Sequence, residues 1–214
     1  MSNISIVEHE AYSRTAISDS MFGTNFVTTY DYEFEQDHDL LKVLEGLGVS
    51  TLRFPGGSIT EDVFTEASFL TGDWGRSSYI DSKGKMRSFT PLSGFIESAA
   101  AIGANVQLVI PTRVAFEQSM GNALAAGTYG SRTEITNNYF DLVRAYLDFA
   151  LSESQTYGTS IERVELGNEF WGSGQMTAGE YGRLASTLTA WLGREYPSIA
   201  VMSDVSACWR DLRV

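Results

Sequence analysis

An α/β fold built on parallel strands is what this sequence predicts, and three observations carry that reading. Five short β-rich runs alternate with helical patterns, the strand-to-strand steps average about 44 residues, and the glycine fingerprints of nucleotide binding are missing. Strands separated by helical crossovers pair in parallel, and two architectures fit: an open doubly wound sheet and a (β/α)8 barrel. The nucleotide-binding open sheet calls for GxGxxG after its first strand, where this chain has Gly23-Thr24-Asn25-Phe26. A phosphate-binding GxxxxGK motif occurs nowhere. Eight repeats of this length need roughly 350 residues, so five strands in 214 make the first part of a barrel or a partial one.

The elements follow in order. Residues 21–27 read as the first strand. Asp37 caps a helix with Leu40, Leu41, Leu44 and Leu47 on one face, and Gly48 stops it. Residues 50–54 form the second strand, broken by Pro55-Gly56-Gly57, which reads as a tight turn. The segment 58–90 is loop-rich, with turn signals at Thr71-Gly72-Asp73-Trp74-Gly75 and Asp81-Ser82-Lys83-Gly84. Thr90 as N-cap and Pro91 as first helical residue open a helix that buries Leu92, Phe95, Ile96 and Ala99, and Gly103 ends it.

Residues 105–110 are the third strand. Ser131-x-x-Glu134 reads as a capping box for a long helix carrying Ile135, Tyr139, Leu142, Val143, Tyr146, Leu147 and Ala150 at helical spacing. Residues 161–166 are the fourth strand. Thr177-x-x-Glu180 is a second capping box, followed by a stripe of Tyr181, Leu184, Ala185, Leu188, Trp191 and Leu192. Residues 199–205 make the fifth strand. Residues 1–20 form a lead-in, and 21–214 the α/β unit.

Composition removes several classes. With 43% apolar and 12% aromatic residues the chain can build a core, which rules out long disorder. No run approaches the ~18 apolar residues of a membrane span. Residues 1–20 lack a basic and an apolar region, so no cleavable signal peptide is expected; the compartment stays open. Twenty-seven acidic against 15 basic residues give a net charge of −12, which repels a polyphosphate and argues against nucleic acid. Only Lys42, Lys83 and Lys85 are lysines; the other basic residues are arginines, whose planar forks grip carboxylates and hydroxyls. Cys208 is the single cysteine, so no internal disulfide forms, and it reads as a small buried hydrophobe. Two histidines are too few for a zinc site, and His9 stands alone; Asp37-His38-Asp39 reads as a helix cap and residues 31–39 as a solvated face. No cofactor is implied.

The informative stretch is Val164-Glu165-Leu166-Gly167-Asn168-Glu169-Phe170-Trp171, a strand ending in an amide and then a carboxylate. Splitting a glycosidic bond needs one carboxylic acid to protonate the leaving oxygen and a second carboxylate to attack or to activate water. Glu169 is placed to be the first, Asn168 to bond a hydroxyl beside the reacting carbon, and Trp171 to stack on a sugar ring. The alternative is that Asn168-Glu169 caps the following helix and Trp171 is core.

Two motifs together, Leu52-Arg53-Phe54-Pro55-Gly56-Gly57 and Glu165-Leu166-Gly167-Asn168-Glu169, resemble the paired signatures of clan A retaining glycoside hydrolases. Within that clan the sequence is similar to the α-L-arabinofuranosidase family, and equally to the heparanase and β-glucuronidase family. The stretch 177–185 also resembles the helix that follows there. The resemblance spans residue 22 to the end. It implies a TIM-type (β/α)8 barrel with about its first five strands present. It further implies a glycosidase that cleaves O-glycosidic bonds of a polysaccharide or oligosaccharide by retaining double displacement.

In that resemblance Glu169 is the general acid/base and Asn168 the ligand of the hydroxyl beside the anomeric carbon. Arg53 reaches across to hold the nucleophilic carboxylate ionised; its alternative is a partly buried pair with Glu165. Asn25 contacts sugar or forms a turn. Arg113 meets a uronate carboxylate or faces solvent, and Trp74 is a sugar platform or a packing anchor. The clan's nucleophile ends strand seven, so it is expected beyond residue 214, and the 214 residues alone are expected to be inactive. Asp204 is read as structural or a minor contact. Glu165 lies roughly 13 Å along its strand from Glu169, against the 5–5.5 Å that retention needs. A non-catalytic carbohydrate-binding partial barrel is the other reading. Strand five carries no lysine or proline, so self-association through exposed strand edges is expected.

Overall fold

In a computed structural model that describes residues 22–29, 38–171 and 175–203, the alternating runs fold in the expected order. They give β1 (Gly23–Asn25), α1 (His38–Gly46), β2 (Thr51–Phe54), a 3-10 turn (Gly57–Thr60) and a π-helical turn (Thr65–Phe69). Next come β3 (Ser78–Ile80), β4 (Met86–Ser88), α2 (Leu92–Ala101), β5 (Asn105–Ile110) and α3 (Met120–Ala126). The chain continues through α4 (Tyr139–Tyr157), β6 (Ile161–Leu166), α5 (Ala178–Glu195) and β7 (Ala200–Ser203). The readings of the 1–20 lead-in, His9, the acidic run 31–37, the Asp37 cap, Asp204 and Cys208 lie outside the described residues.

β1, β2, β5, β6 and β7 form one parallel sheet in that order. Strands stand as they follow in the chain, and among the described residues the order never reverses, as it does at the switch point of a doubly wound sheet. Alternation splits the two faces. Leu52, Phe54, Val106, Leu108, Ile110, Val164 and Leu166 are at most 1% exposed and join one core with the helices. That core takes Leu92, Phe95, Ile96 and Ala99 from α2, Tyr139, Val143, Tyr146 and Leu147 from α4, and Tyr181, Leu184 and Leu188 from α5. The opposite face is mostly polar: Asn25 is in register with Arg53, Arg53 with Gln107, and Gln107 with Arg163. This arrangement positions charge on the sheet itself.

Several local expectations change. Leu47 is 70% exposed, because α1 ends at Gly46 and the chain turns at Gly48 with φ 68°. Segment 58–90 holds more order than a loop: β3 and β4 pair antiparallel, and Asp81 accepts from the Lys83 and Lys85 amides to close their turn. Pro91, not Thr90, is the N-cap of α2; the buried Thr90 donates its amide to the Thr28 carbonyl instead. Ser131 and Glu134 form no capping box. The Ser131 hydroxyl donates to the Thr128 carbonyl, Ile135 bridges Phe116, and the helix starts only at Tyr139. The short helix α3 precedes them where none is predicted. Thr177 and Glu180 do form both halves of their box.

Two glycines bring strand ends close. A Cβ on Gly56 (φ 84°) would stand 2.2 Å from the Phe26 carbonyl oxygen, and one on Gly167 (φ 73°) 2.3 Å from Thr112 Oγ1. Side chains without Cβ are needed at both. Beneath them, Tyr139 donates its hydroxyl to the Pro111 carbonyl at 2.8 Å and Tyr181 to the Leu166 carbonyl at 2.8 Å. These bonds tie α4 and α5 to the carboxyl ends of β5 and β6.

Candidate active site

Arg53 organises the polar face. From β2 its Nε donates to Glu165 Oε2 at 2.6 Å and its Nη2 to Glu165 Oε1 at 3.0 Å, a two-pronged grip on β6. Nη1 donates to Asn25 Oδ1 at 2.8 Å, and Nη2 also to Asn168 Oδ1 at 3.0 Å. Gln107 on β5 adds a bond to Glu165 Oε2 at 2.9 Å. The Arg53 and Glu165 side chains are 19% and 17% exposed. The paired reading of Arg53 with Glu165 is therefore the observed one, and the same guanidinium also collects Asn25 and Asn168. Arginine cannot accept a hydrogen bond, so both amides must turn their oxygens to it and their NH2 groups away. A cavity of about 380 Å³ opens beside them, lined by Asn25, Thr51, Arg53, Gln107 and Arg163.

Glu169 follows Asn168 directly and is exposed. Its φ of 44° is the single positive value of a non-glycine among the described residues. Its carboxylate has no hydrogen bond or ion pair among them. Neither Asn168 nor Glu169 caps the next helix, because Thr177 does so. Trp171 is 42% exposed rather than core, and stands edge-on to Phe170 at 5.3 Å. Phe170 in turn stacks on Tyr181 at 3.9 Å, which gives the indole a rigid footing. Of the five residues singled out from sequence, Asn25, Arg53 and Asn168 meet directly, while Glu169 and Trp171 share the strand-end loop without touching that cluster.

Two other readings resolve. Trp74 is buried against Phe64, Tyr146 and Phe149, so it anchors packing. Arg113 bonds Asp62 and Glu66 on one wall of a cleft of about 700 Å³.

Sequence reasoning missed Glu61. It is 2% exposed and accepts from the Thr112, Arg113 and Asn168 amides and the Thr112 hydroxyl. Burial raises its pKa above the usual 4.5 despite those donors. The sequence carries no distinct signal for it: Glu61 sits beside Asp62 in the mixed run Ile59-Thr60-Glu61-Asp62-Val63-Phe64, which reads as a loop. Gln107 was missed as well, although its place opposite Arg53 follows from strand register.

No family model matches the chain, and no curated protein matches it.

Proposed function

We propose that the chain is part of the catalytic domain of a retaining glycoside hydrolase, its sheet forming the first five strands of a (β/α)8 barrel. The observation that carries this is an exposed Glu169 carboxylate, without a partner among the described residues, directly after Asn168, whose side-chain amide Arg53 orients. Strand order without a reversal supports the barrel, in which chemistry sits at carboxyl strand ends. Glu169 protonates the glycosidic oxygen as a carboxylate attacks the anomeric carbon and the C–O bond to the leaving sugar breaks. The ionised Glu169 then takes a proton from water, which displaces the enzyme carboxylate and releases the sugar with retained configuration. The NH2 of Asn168 donates to the oxygen of the neighbouring hydroxyl, and Trp171 stacks on the ring.

On the clan A resemblance we infer that the attacking carboxylate lies beyond residue 214. Glu61 is buried under four donor groups and Glu165 is held in the Arg53 fork, so neither is free to attack. The bonds of Arg113 to Asp62 and Glu66 favour a neutral sugar over a uronate, since that guanidinium is already paired. The same lack of a second free carboxylate among the described strand ends favours the alternative, a non-catalytic sugar-binding domain.

Glu169→Gln in the full-length polypeptide separates the two, assayed on para-nitrophenyl α-L-arabinofuranoside and para-nitrophenyl β-D-glucuronide. Turnover should fall roughly 100- to 10,000-fold, the usual worth of a positioned acid/base. Azide, which needs no general base, should restore it. A wild-type protein that binds these sugars without cleaving them establishes the binding reading instead.

A further inference from the structure

Glu61 has no part in the chemistry above, yet from the loop after β2 it bonds the ends of two other strands, β5 and β6. It lies in the loop that follows β2, with Oε2 receiving the Arg113 amide at 2.8 Å and the Thr112 amide at 3.0 Å. Oε1 receives the Thr112 hydroxyl at 3.2 Å and the Asn168 amide at 3.2 Å. Thr112 and Arg113 follow β5, and Asn168 follows β6. Every partner donates, so only a group that accepts with both oxygens satisfies them. A carboxylate is an expensive group to bury, and an apolar side chain would fill the same space without that cost.

The position of the Asn168 amide gives the bond its meaning. Gly167 before it and Glu169 after it both have positive φ, 73° and 44°, so the backbone bends sharply on either side. Glu61 grips the amide between the two bends. Gly167 is packed so tightly there that a Cβ would come within 3.3 Å of Glu61 Oε1.

We propose that Glu61 is a positioning residue: by holding the Asn168 backbone N–H it fixes the Gly167–Asn168–Glu169 turn so that the Asn168 side-chain NH2 and the Glu169 carboxylate face one bound sugar. This rests on the glycosidase reading of Glu169. Replacing Glu61 by Gln keeps its shape but sets an NH2 against backbone N–H groups in either orientation. Asp keeps the charge and loses a methylene.

The test uses the full-length polypeptide with whichever para-nitrophenyl glycoside it cleaves, measuring kcat, KM and melting temperature. Glu61→Gln should lower kcat roughly 100-fold, as a misplacement of about 1 Å does, with KM within about twofold. Glu61→Asp should recover more activity than Gln, because the acceptor matters more than the shape. Tyr139→Phe, which deletes the neighbouring bond to the Pro111 carbonyl, should lower the melting temperature and leave kcat unchanged. Should Gln not fold, Asp decides; if neither folds, Glu61 serves folding alone and the proposal is overturned. An inactive Glu169→Gln beside a fully active Glu61→Gln overturns positioning only. An active Glu169→Gln overturns both readings.

Discussion

Arg132 and Glu180 meet at 2.8 Å, Nε to Oε1, with 3% and 0% of their side chains exposed. The pair locks the segment after α3 to the first turn of α5. Glu180 also receives the Gly130, Arg132 and Thr177 amides, while Arg132 donates to the Gln118 and Gln175 carbonyls and lies 4.8 Å from the Phe116 ring. One glutamate thus completes a capping box and anchors a loop.

Acid sensitivity follows from that pair. Burial alone would raise the Glu180 carboxyl, but the Arg132 guanidinium and the backbone donors override it and hold it at about 2, against 4.5 when free. A depressed carboxyl stabilises the fold above pH 4.5 and loses that contribution as pH falls through 2, about 3 kcal/mol in all. Glu180→Gln should cost about 3–5 kcal/mol near neutrality by leaving Arg132 buried and unpaired. Its melting temperature should also fall less steeply with acid than that of the wild type. Parallel acid slopes in thermal melts of the two proteins would remove Glu180 as the cause.

Arg53→Lys keeps the charge and loses the fork. A point ammonium cannot serve Glu165, Asn25 and Asn168 together, so the two amides lose their fixed orientation. Stability should drop by about 1–2 kcal/mol, and, on the glycosidase function proposed above, kcat/KM on a cleaved aryl glycoside should drop at least about tenfold. Side-chain amide NMR signals of Asn25 and Asn168 provide a readout independent of activity. Unshifted signals in the variant would contradict the assignment.

Gly167→Ala tests the strand-end packing. The added Cβ would stand 2.3 Å from Thr112 Oγ1 on a backbone with φ 73°. A left-handed alanine costs about 1–2 kcal/mol before any clash, so the melting temperature should fall by roughly 4 °C or more. An unchanged melt would mean that the turn relaxes freely.

The sheet's outer strands lead to a prediction about association. β1 and β7 flank the sheet among the described residues, Met202 on β7 is 42% exposed, and Phe22 beside β1 is 52% exposed. We propose that the isolated 214-residue chain self-associates through these edges, and that Met202→Lys suppresses it. Sedimentation over a wide concentration range measures this, and a wild-type chain that stays monomeric throughout would reject it.

What was legible in the sequence was local. Strands 105–110 and 161–166 were readable because each is a short run rich in Val, Ile and Leu, and the Thr177–Glu180 box because both halves sit within one turn. The same four-residue pattern misled at Ser131–Glu134, where a bridge from Phe116 holds the chain extended. In the site, Arg53 and Asn168 were visible through their neighbours, whereas Glu61 reaches Thr112 across 51 positions and Asn168 across 107. Such contacts are set by which strand ends the sheet brings together, and no window along the chain contains them.

The left-handed backbone at Glu169 sets robustness against use. A side chain at φ 44° costs the fold about 1 kcal/mol or more that glycine would not. Glu169→Gly should therefore melt about 2–4 °C higher while losing a carboxylate that has no partner among the described residues. Left to thermal endurance alone, position 169 would drift to glycine. Its glutamate marks where endurance has been traded away.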